Sequence, residues 1–274
     1  MQSQDELYTS RVKPIRDDHI SNIISSAGPE IFSPYDKEFN WSERLTPIKR
    51  LQITTLKWCA NWLTGLDKFN FVYVTNGNTD YLINLFNSTN NIAFKQGDYS
   101  YYQHWHDVMG KPYRELTEPA DVDDLVVSWP GYNYGDNTEL DFANKCTAQW
   151  RHLDCAYLGV VKPSSLDVSE YETVGISFSK ILSIPYNRIG LCFSKTEIKD
   201  NAILNKIGYV NLAGVKLATH IMNKLDPNYF WNKYGEEQLS NLCEKHGLTK
   251  TQSILIAYEN GKRVGLAPYW QKDG

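Results

Sequence analysis

Short apolar runs separated by polar, helix-like stretches set the rhythm of the chain up to about residue 200. In TPIKRLQITTLKWCANWLTG, the residues Ile48, Leu51, Leu56, Trp58, Cys59 and Trp62 recur at roughly helical spacing, with Thr46-Pro47 as a start signal and Gly65 as a stop. The β-rich run Phe69–Thr75 ends at Asn76-Gly77-Asn78, and Asn78 or Thr79 can cap a helix over Asp80–Phe86. Further strands are expected in NIAFK, DDLVVSW, HLDCAYLGV, ETVGISFS and RIGLCFS, with a helix-like stretch, TELDFANKCTAQW, among them. Strands alternating with helices predict an α/β fold with a mainly parallel sheet.

After Lys195 the pattern changes. ILNKIGYVNLAGVKLATHIMNKL and FWNKYGEEQLSNLCEKHG read as two helices, and SILIAYE and KRVGLAPYW as two strands, which together make a smaller α+β lobe. Residues 1–45 are polar with scattered aromatics and read as an irregular arm carrying a short helix at RDDHISNIISS. The expected organisation is an N-terminal arm (1–45), a large domain (46–200) and a small C-terminal domain (201–274), without internal repeats or low-complexity linkers.

Composition narrows the function classes. A chain of 274 residues can bury a substantial core, and 42% apolar with 22% charged residues is ordinary for a soluble globular protein. The net charge of −4 and the dispersed positive residues argue against nucleic acid and an anionic membrane surface as partners. Cys59, Cys146, Cys155, Cys192 and Cys243 form no CxxC pair, so they read as reduced core thiols of a cytoplasmic protein, not as a disulfide framework or a zinc site. The polar start MQSQDELYTS has no signal-peptide character, and no stretch is long and apolar enough to span a bilayer.

The chemistry-bearing residues fall at strand ends, where open α/β sheets bind ligands. Asn76-Gly77-Asn78 links a strand to a helix N-terminus, where a close backbone approach and free N–H groups favour phosphate. Taken alone, this is more often only a turn. Asp154 lies within an apolar strand and must find a partner, structural or functional. Lys180 ends the strand TVGISFS; it is a Schiff-base nucleophile or a lysine whose stem snorkels to water. Arg188, eight residues on, can clamp a phosphate with its fork or simply face solvent. His104 and His106 have metal-like spacing without a third ligand, and read as part of a solvated helix start.

The order of these elements is more specific than any one of them. LDCAY and SFSKILSIPYNRIG, following the NGN turn and an aromatic at Tyr99, resemble the Asp-x-x-Tyr and Ser-x-x-Lys…Arg-x-Gly motifs of the fold-type-I pyridoxal-phosphate enzymes, specifically the class I/II aminotransferases. The resemblance implies a three-layer, mainly parallel sheet with a reduced C-terminal lobe, and pyridoxal 5′-phosphate as cofactor. It implies that Lys180 forms a Schiff base with the cofactor and moves a proton, that Asp154 keeps the pyridine nitrogen protonated, and that Tyr157 holds the phenolic oxygen. Tyr99 would stack on the ring, while Asn76, Gly77, Asn78, Ser177 and Arg188 would hold the phosphate.

The usual Asn-Pro-x-Gly loop is replaced by SWPGYNYGD. Asn133 is taken for the asparagine near the phenolic oxygen, although strict spacing puts Tyr132 there. Arg263 is a match for the arginine that binds a substrate carboxylate, or an edge-strand surface arginine. The implied reaction moves an amino group from an amino acid to a keto acid in a homodimer with shared active sites, and the aromatic segment 35–41 is the candidate reaching arm. Decarboxylation or elimination on the same cofactor, and a degenerate, non-catalytic binding module, are the competing readings. A methyltransferase-like nucleotide site is a poorer one, because TNGNTD offers one glycine and leaves Lys180 without a use.

Overall fold

The computed structural model describes residues 12–31 and 41–273. The chain runs through α1 (Asp18–Ser25), α2 (Trp41–Cys59), β1 (Leu63–Thr64), β2 (Phe71–Thr75), α3 (Asn78–Ser88), β3 (Ile92–Lys95), α4 (Tyr101–Met109), β4 (Tyr113–Leu116) and β5 (Asp121–Ser128). It continues with α5 (Thr138–Ala143), β6 (Thr147–Cys155), β7 (Leu166–Asp167), β8 (Thr173–Ser177), α6 (Phe178–Ile181), β9 (Gly190–Ser194), α7 (Lys199–Lys206) and α8 (Leu212–Met222). The last part comprises α9 (Tyr229–Tyr234), α10 (Glu236–His246), β10 (Thr249–Lys250), β11 (Ile256–Glu259), β12 (Lys262–Gly265) and α11 (Ala267–Asp273).

Seven strands form the main sheet in the order β2-β9-β8-β6-β5-β3-β4. β9 is antiparallel to both of its neighbours, and every other pairing in which β3, β4, β5, β6 and β8 meet is parallel. The mainly parallel sheet read from the sequence is therefore the observed one. Period-two alternation sends Leu125, Val127 and Leu153 to a core shared with Leu51, Val215 and Ile221 of α2 and α8. Val126, Ile92 and Phe94 face the other way, against Tyr81, Leu82 and Phe86 of α3. The sheet is thus the middle of three layers. A separate core of Leu239, Leu242, Ala257 and Leu266 joins α10 to the antiparallel sheet β10-β11-β12.

Several boundaries differ from the sequence reading, each for a physical reason. α2 begins at Trp41, so Pro47 lies inside the helix, not at its start. The stretch taken as one helix over 138–150 stops at Ala143, because residues 147–155 pair along β5 from Asp121↔Thr147 to Ser128↔Asp154. The single helix expected over 203–225 is broken into α7 and α8 by Gly208, at φ 66°, and by Asn211, whose side chain accepts from the Gly214 N–H. FWNKYGEEQLSNLCEKHG likewise divides into α9 and α10 at Gly235. KRVGLAPYW is a strand only as far as Gly265 and then turns into α11.

The segment read as an irregular arm is anchored where it is described. Ile15, Ile20 and Ile23 are buried. Asp17 is buried too, accepting hydrogen bonds from the Ile20 N–H (3.1 Å), Tyr229 (3.0 Å), Lys233 (2.8 Å) and Tyr234 (2.6 Å). Burial alone would raise the Asp17 carboxyl, but these donors hold it down at about 2. Of the candidate reaching arm, residues 35–41, all but Trp41 at the start of α2 lie outside the described residues. All five cysteines are buried free thiols, and no helix among the described residues is long and apolar enough to cross a membrane.

Candidate active site

The parallel strands end on one edge of the sheet, and the registers Ser128↔Asp154, Asp154↔Gly175, Ser177↔Gly190 and Thr75↔Gly190 place their last residues side by side. Tyr99, Ser128, Tyr132, Asp154, Ala156, Tyr157 and Lys180 line a narrow cleft there. Lys180 is not the last residue of a strand, as expected, but sits in the single turn α6 just beyond β8. The Ser177 hydroxyl caps that turn by accepting from the Ser179 N–H at 3.4 Å. The Lys180 ammonium lies 4.4 Å from the centre of the Tyr157 ring.

Asp154 is 1% exposed and accepts from three donors. Its Oδ1 accepts from Asn78 Nδ2 and, at 3.0 Å, from the Ala156 N–H; its Oδ2 accepts from the Tyr102 hydroxyl at 3.1 Å. Burial raises its pKa, and Asn78, Tyr102, the Lys180 charge and the Ala156 amide oppose the rise. A carboxylate has about four lone-pair sites, so three donors leave one for a further partner.

A second group of residues converges next to this cleft. α3 begins at Gly77 without a side-chain cap, so its first-turn amides are open. Gly77 has φ 76°, and a Cβ there would come within 3.4 Å of the Arg188 guanidinium and 3.6 Å of the Ser177 hydroxyl. The positive φ at 77 is the reason for glycine there, since L side chains rarely adopt it. Arg188 donates to the Thr79 hydroxyl at 2.9 Å. Neither Asn78 nor Thr79 caps the helix, since Asn78 turns inward to Asp154 and Thr79 meets Arg188. Asn76 is exposed, and its N–H is taken by Asp80 at 3.1 Å.

Asn133 is corrected to Tyr132 as the cleft-lining residue. Asn133 donates to the Gly97 carbonyl (2.7 Å) and to Glu139 (3.3 Å), away from the cleft. The loop turns in this way because Gly131 leaves room for buried Glu139; a Cβ at 131 would fall 2.0 Å from its Oε2. Arg263, on β12, reaches the cleft from the second sheet. It donates to the Tyr132 hydroxyl (2.8 Å), the Tyr132 carbonyl (3.0 Å) and the Tyr157 hydroxyl (3.1 Å). Backbone bonds from Lys162 to Gln252, from Gln252 to Tyr134 and from Ile254 to Val160 stitch that sheet's approach to the cleft loops.

Sequence reasoning missed the support behind the cleft. Tyr102 follows Tyr99 by three residues in the aromatic run YSYY, and this clustering was the available signal. His106 is not solvated but 1% exposed, packed 4.5 Å from the Phe86 ring, with its pKa lowered by burial. Asp98 accepts from the Tyr99 N–H (2.7 Å), from the Ser128 N–H (3.3 Å) and from the Ser128 hydroxyl. The Ser128 hydroxyl accepts in turn from the Tyr132 N–H at 3.2 Å.

Burial, reinforced by the nearby Glu139 carboxylate, pushes Asp98 up to about 7. A raised acid binds its proton more tightly in the folded state. Its contribution is therefore fully present below pH 4 and lost as pH rises through about 7. Asp98→Asn is expected to remove up to about 4 kcal/mol of stability loss between pH 4 and pH 8, measured as the difference from wild type in urea unfolding at the two pH values.

No protein-family model matches this sequence, and comparison with curated proteins finds no match. Solved structures do match. Aminotransferase AspB from Helicobacter pylori aligns over 86% of this chain and 72% of its own, at TM-score 0.58 and 16% identity. This chain has the fold-type-I aminotransferase fold. L-threonine-O-3-phosphate decarboxylase from Porphyromonas gingivalis shares it at TM-score 0.60 and 15% identity, over 89% of this chain and 78% of that one. So does histidinol-phosphate aminotransferase from Clostridium acetobutylicum, at TM-score 0.59 and 15% identity, over 92% and 82%. Within the aminotransferase fold, the cleft and the glycine cradle lie at the carboxyl edge of the sheet, where open α/β folds bind ligands.

The residues fit pyridoxal 5′-phosphate. The Gly77–Ser177–Arg188 cradle offers a backbone approach, a hydroxyl and a guanidinium to a phosphate. Asp154 has a remaining lone pair for a ring nitrogen. Among the described residues, Asn78 Oδ1, next to Asp154, and Ser179 Oγ, next to Lys180 in sequence, are buried without a hydrogen-bond partner. No cluster of three or more metal-ligating side chains occurs among the described residues.

Proposed function

We propose that the protein is a pyridoxal 5′-phosphate-dependent aminotransferase that moves an amino group from an amino acid to a keto acid. The observation that carries this reading is the meeting of Lys180, Asp154 and Tyr157 in one cleft beside the Gly77–Arg188 cradle. Bound pyridoxal phosphate supplies an electrophilic aldehyde and an electron-withdrawing ring.

The protein's own groups do the rest. Arg188, Ser177 and the first-turn amides of α3 bind the phosphate and fix the depth of the ligand. Tyr99 covers one side of the cleft, and the Tyr157 hydroxyl, whose pKa burial raises while Arg263 opposes, remains a hydrogen-bond donor. Asp154 holds a proton on the ring nitrogen through a charge-assisted hydrogen bond worth roughly 1.5–3 kcal/mol. The Lys180 amine would be the covalent anchor and, when free, the base that takes a proton from the substrate Cα and delivers it to the C4′ carbon of the cofactor. Arg263 receives the substrate carboxylate.

A homodimer completes the proposal. Tyr186 (96% exposed), two residues before Arg188, and Ile203, Leu204, Ile207 and Tyr209 on and after α7 are large apolar side chains in solvent, as an interface would require. The free buried thiols agree with a reducing cytoplasm.

Decarboxylation and elimination start from the same loss of a Cα substituent, so the deciding experiment reads the fate of the amino group. Mixed with the pyridoxal phosphate-loaded protein, an amino donor is expected to convert the cofactor to its amine form, with a matching keto acid released and no carbon dioxide. Release of carbon dioxide or ammonia with the cofactor unchanged would replace transamination with one of the other two. Failure to bind the cofactor at all would leave a binding module.

A further inference from the structure

Resting on that reading, we infer that Tyr132 is the specificity-determining gate of the cleft. Its hydroxyl occupies on Arg263 the place of one oxygen of a substrate carboxylate, and a carboxylate-bearing donor binds by displacing it. The Tyr132 hydroxyl takes Nη1 at 2.8 Å and the Tyr132 carbonyl takes Nη2 at 3.0 Å. One residue thus offers the fork two acceptors, as a bidentate carboxylate does. Its ring also lies flat against the cation, 3.8 Å from the guanidinium carbon to the ring centre.

The cleft's dimensions require something to move. Ligand pockets commonly span about 300–1,000 Å³, and the enclosed space in this cleft is only about 10 Å³, with Tyr132 as one of its walls. Tyr132 is a wall that contacts Arg263. Its backbone is fixed by the Ser128 hydroxyl, while its side chain is held at the tip by Arg263 and along the ring by Tyr99 at 4.9 Å.

The exchange is chemically selective. A phenol oxygen is a neutral acceptor, whereas a carboxylate brings an opposite charge and two oxygens that match the guanidinium fork. A carboxylate can therefore replace Tyr132 on the guanidinium, whereas an amine without one has nothing with which to compete. The gate weakens carboxylate binding by the cost of breaking its own contact, and it excludes ligands that cannot meet that cost.

The test is Tyr132→Phe, which deletes the competing hydroxyl and keeps the ring. Glutarate binding is measured by calorimetry on the cofactor-free protein, and KM and kcat are measured with an amino acid donor on the loaded protein. The variant is expected to bind glutarate about tenfold more tightly and to lower KM by a similar factor, with kcat within about twofold of wild type. Arg263→Gln in the Tyr132→Phe background is expected to erase the gain. Unchanged or weaker glutarate binding by a variant with a wild-type melting curve would show Tyr132 to be a fixed wall. If glutarate binding tightens but the protein never captures pyridoxal phosphate, the gate stands and the aminotransferase reading fails.

Discussion

Replacing Lys180 with alanine is expected to lower amino-group transfer by about a thousandfold or more and to abolish covalent capture of pyridoxal phosphate. Lys180 is held in a capped single turn, its ammonium against the Tyr157 ring and within electrostatic reach of Asp154. A purely electrostatic role would survive Lys180→Arg, which keeps the charge. The covalent and proton-moving role would not, because a guanidinium stays protonated in proteins and cannot serve as the attacking amine. Lys180→Ala and Lys180→Arg are therefore expected to be equally inactive, by single-turnover absorbance of the cofactor band. An arginine variant retaining a tenth or more of the wild-type rate would sink this role.

The second large effect belongs to Asp154. Asp154→Asn is expected to slow transfer by about a hundredfold and to loosen cofactor binding, because the proposed charge-assisted bond to the ring nitrogen would be worth roughly 1.5–3 kcal/mol. The same change sets an amide among donors. Asn78 Nδ2, the Tyr102 hydroxyl and the Ala156 N–H all point at this carboxylate, so an asparagine NH₂ opposes at least one of them. A stability loss of about 1–3 kcal/mol accompanies the catalytic defect. Turnover by the folded variant within twofold of wild type would remove Asp154 from the chemistry and leave it a structural acceptor. Melting curves recorded beside the kinetics separate the two effects.

The main sheet and the position of the site were legible in the sequence for one reason. In a mainly parallel sheet, strand, turn and helix follow one another locally, so a polar residue at the end of an apolar run is already at the ligand edge. Asp154, Tyr157, Lys180 and Gly77 all stand there, and the register brings them together. What was not legible depends on contacts distant in sequence. The choice between Tyr132 and Asn133 is made by Glu139, which fills the space over Gly131 and takes the Asn133 amide. Arg263 comes to the cleft through backbone bonds between residues more than ninety positions apart, such as Ile254 to Val160. The helix limits failed where tertiary pairing overrode local preference: the end of TELDFANKCTAQW is helix-compatible, yet β5 draws it into β6.

The most direct test of the account is chemical. The purified protein is mixed with pyridoxal phosphate, reduced with borohydride and digested, and the modified peptide is sequenced by mass spectrometry. One stable pyridoxyl group on Lys180, lost in Lys180→Ala, is the predicted result. Labelling spread over surface lysines, with Lys180 unmodified, would contradict it.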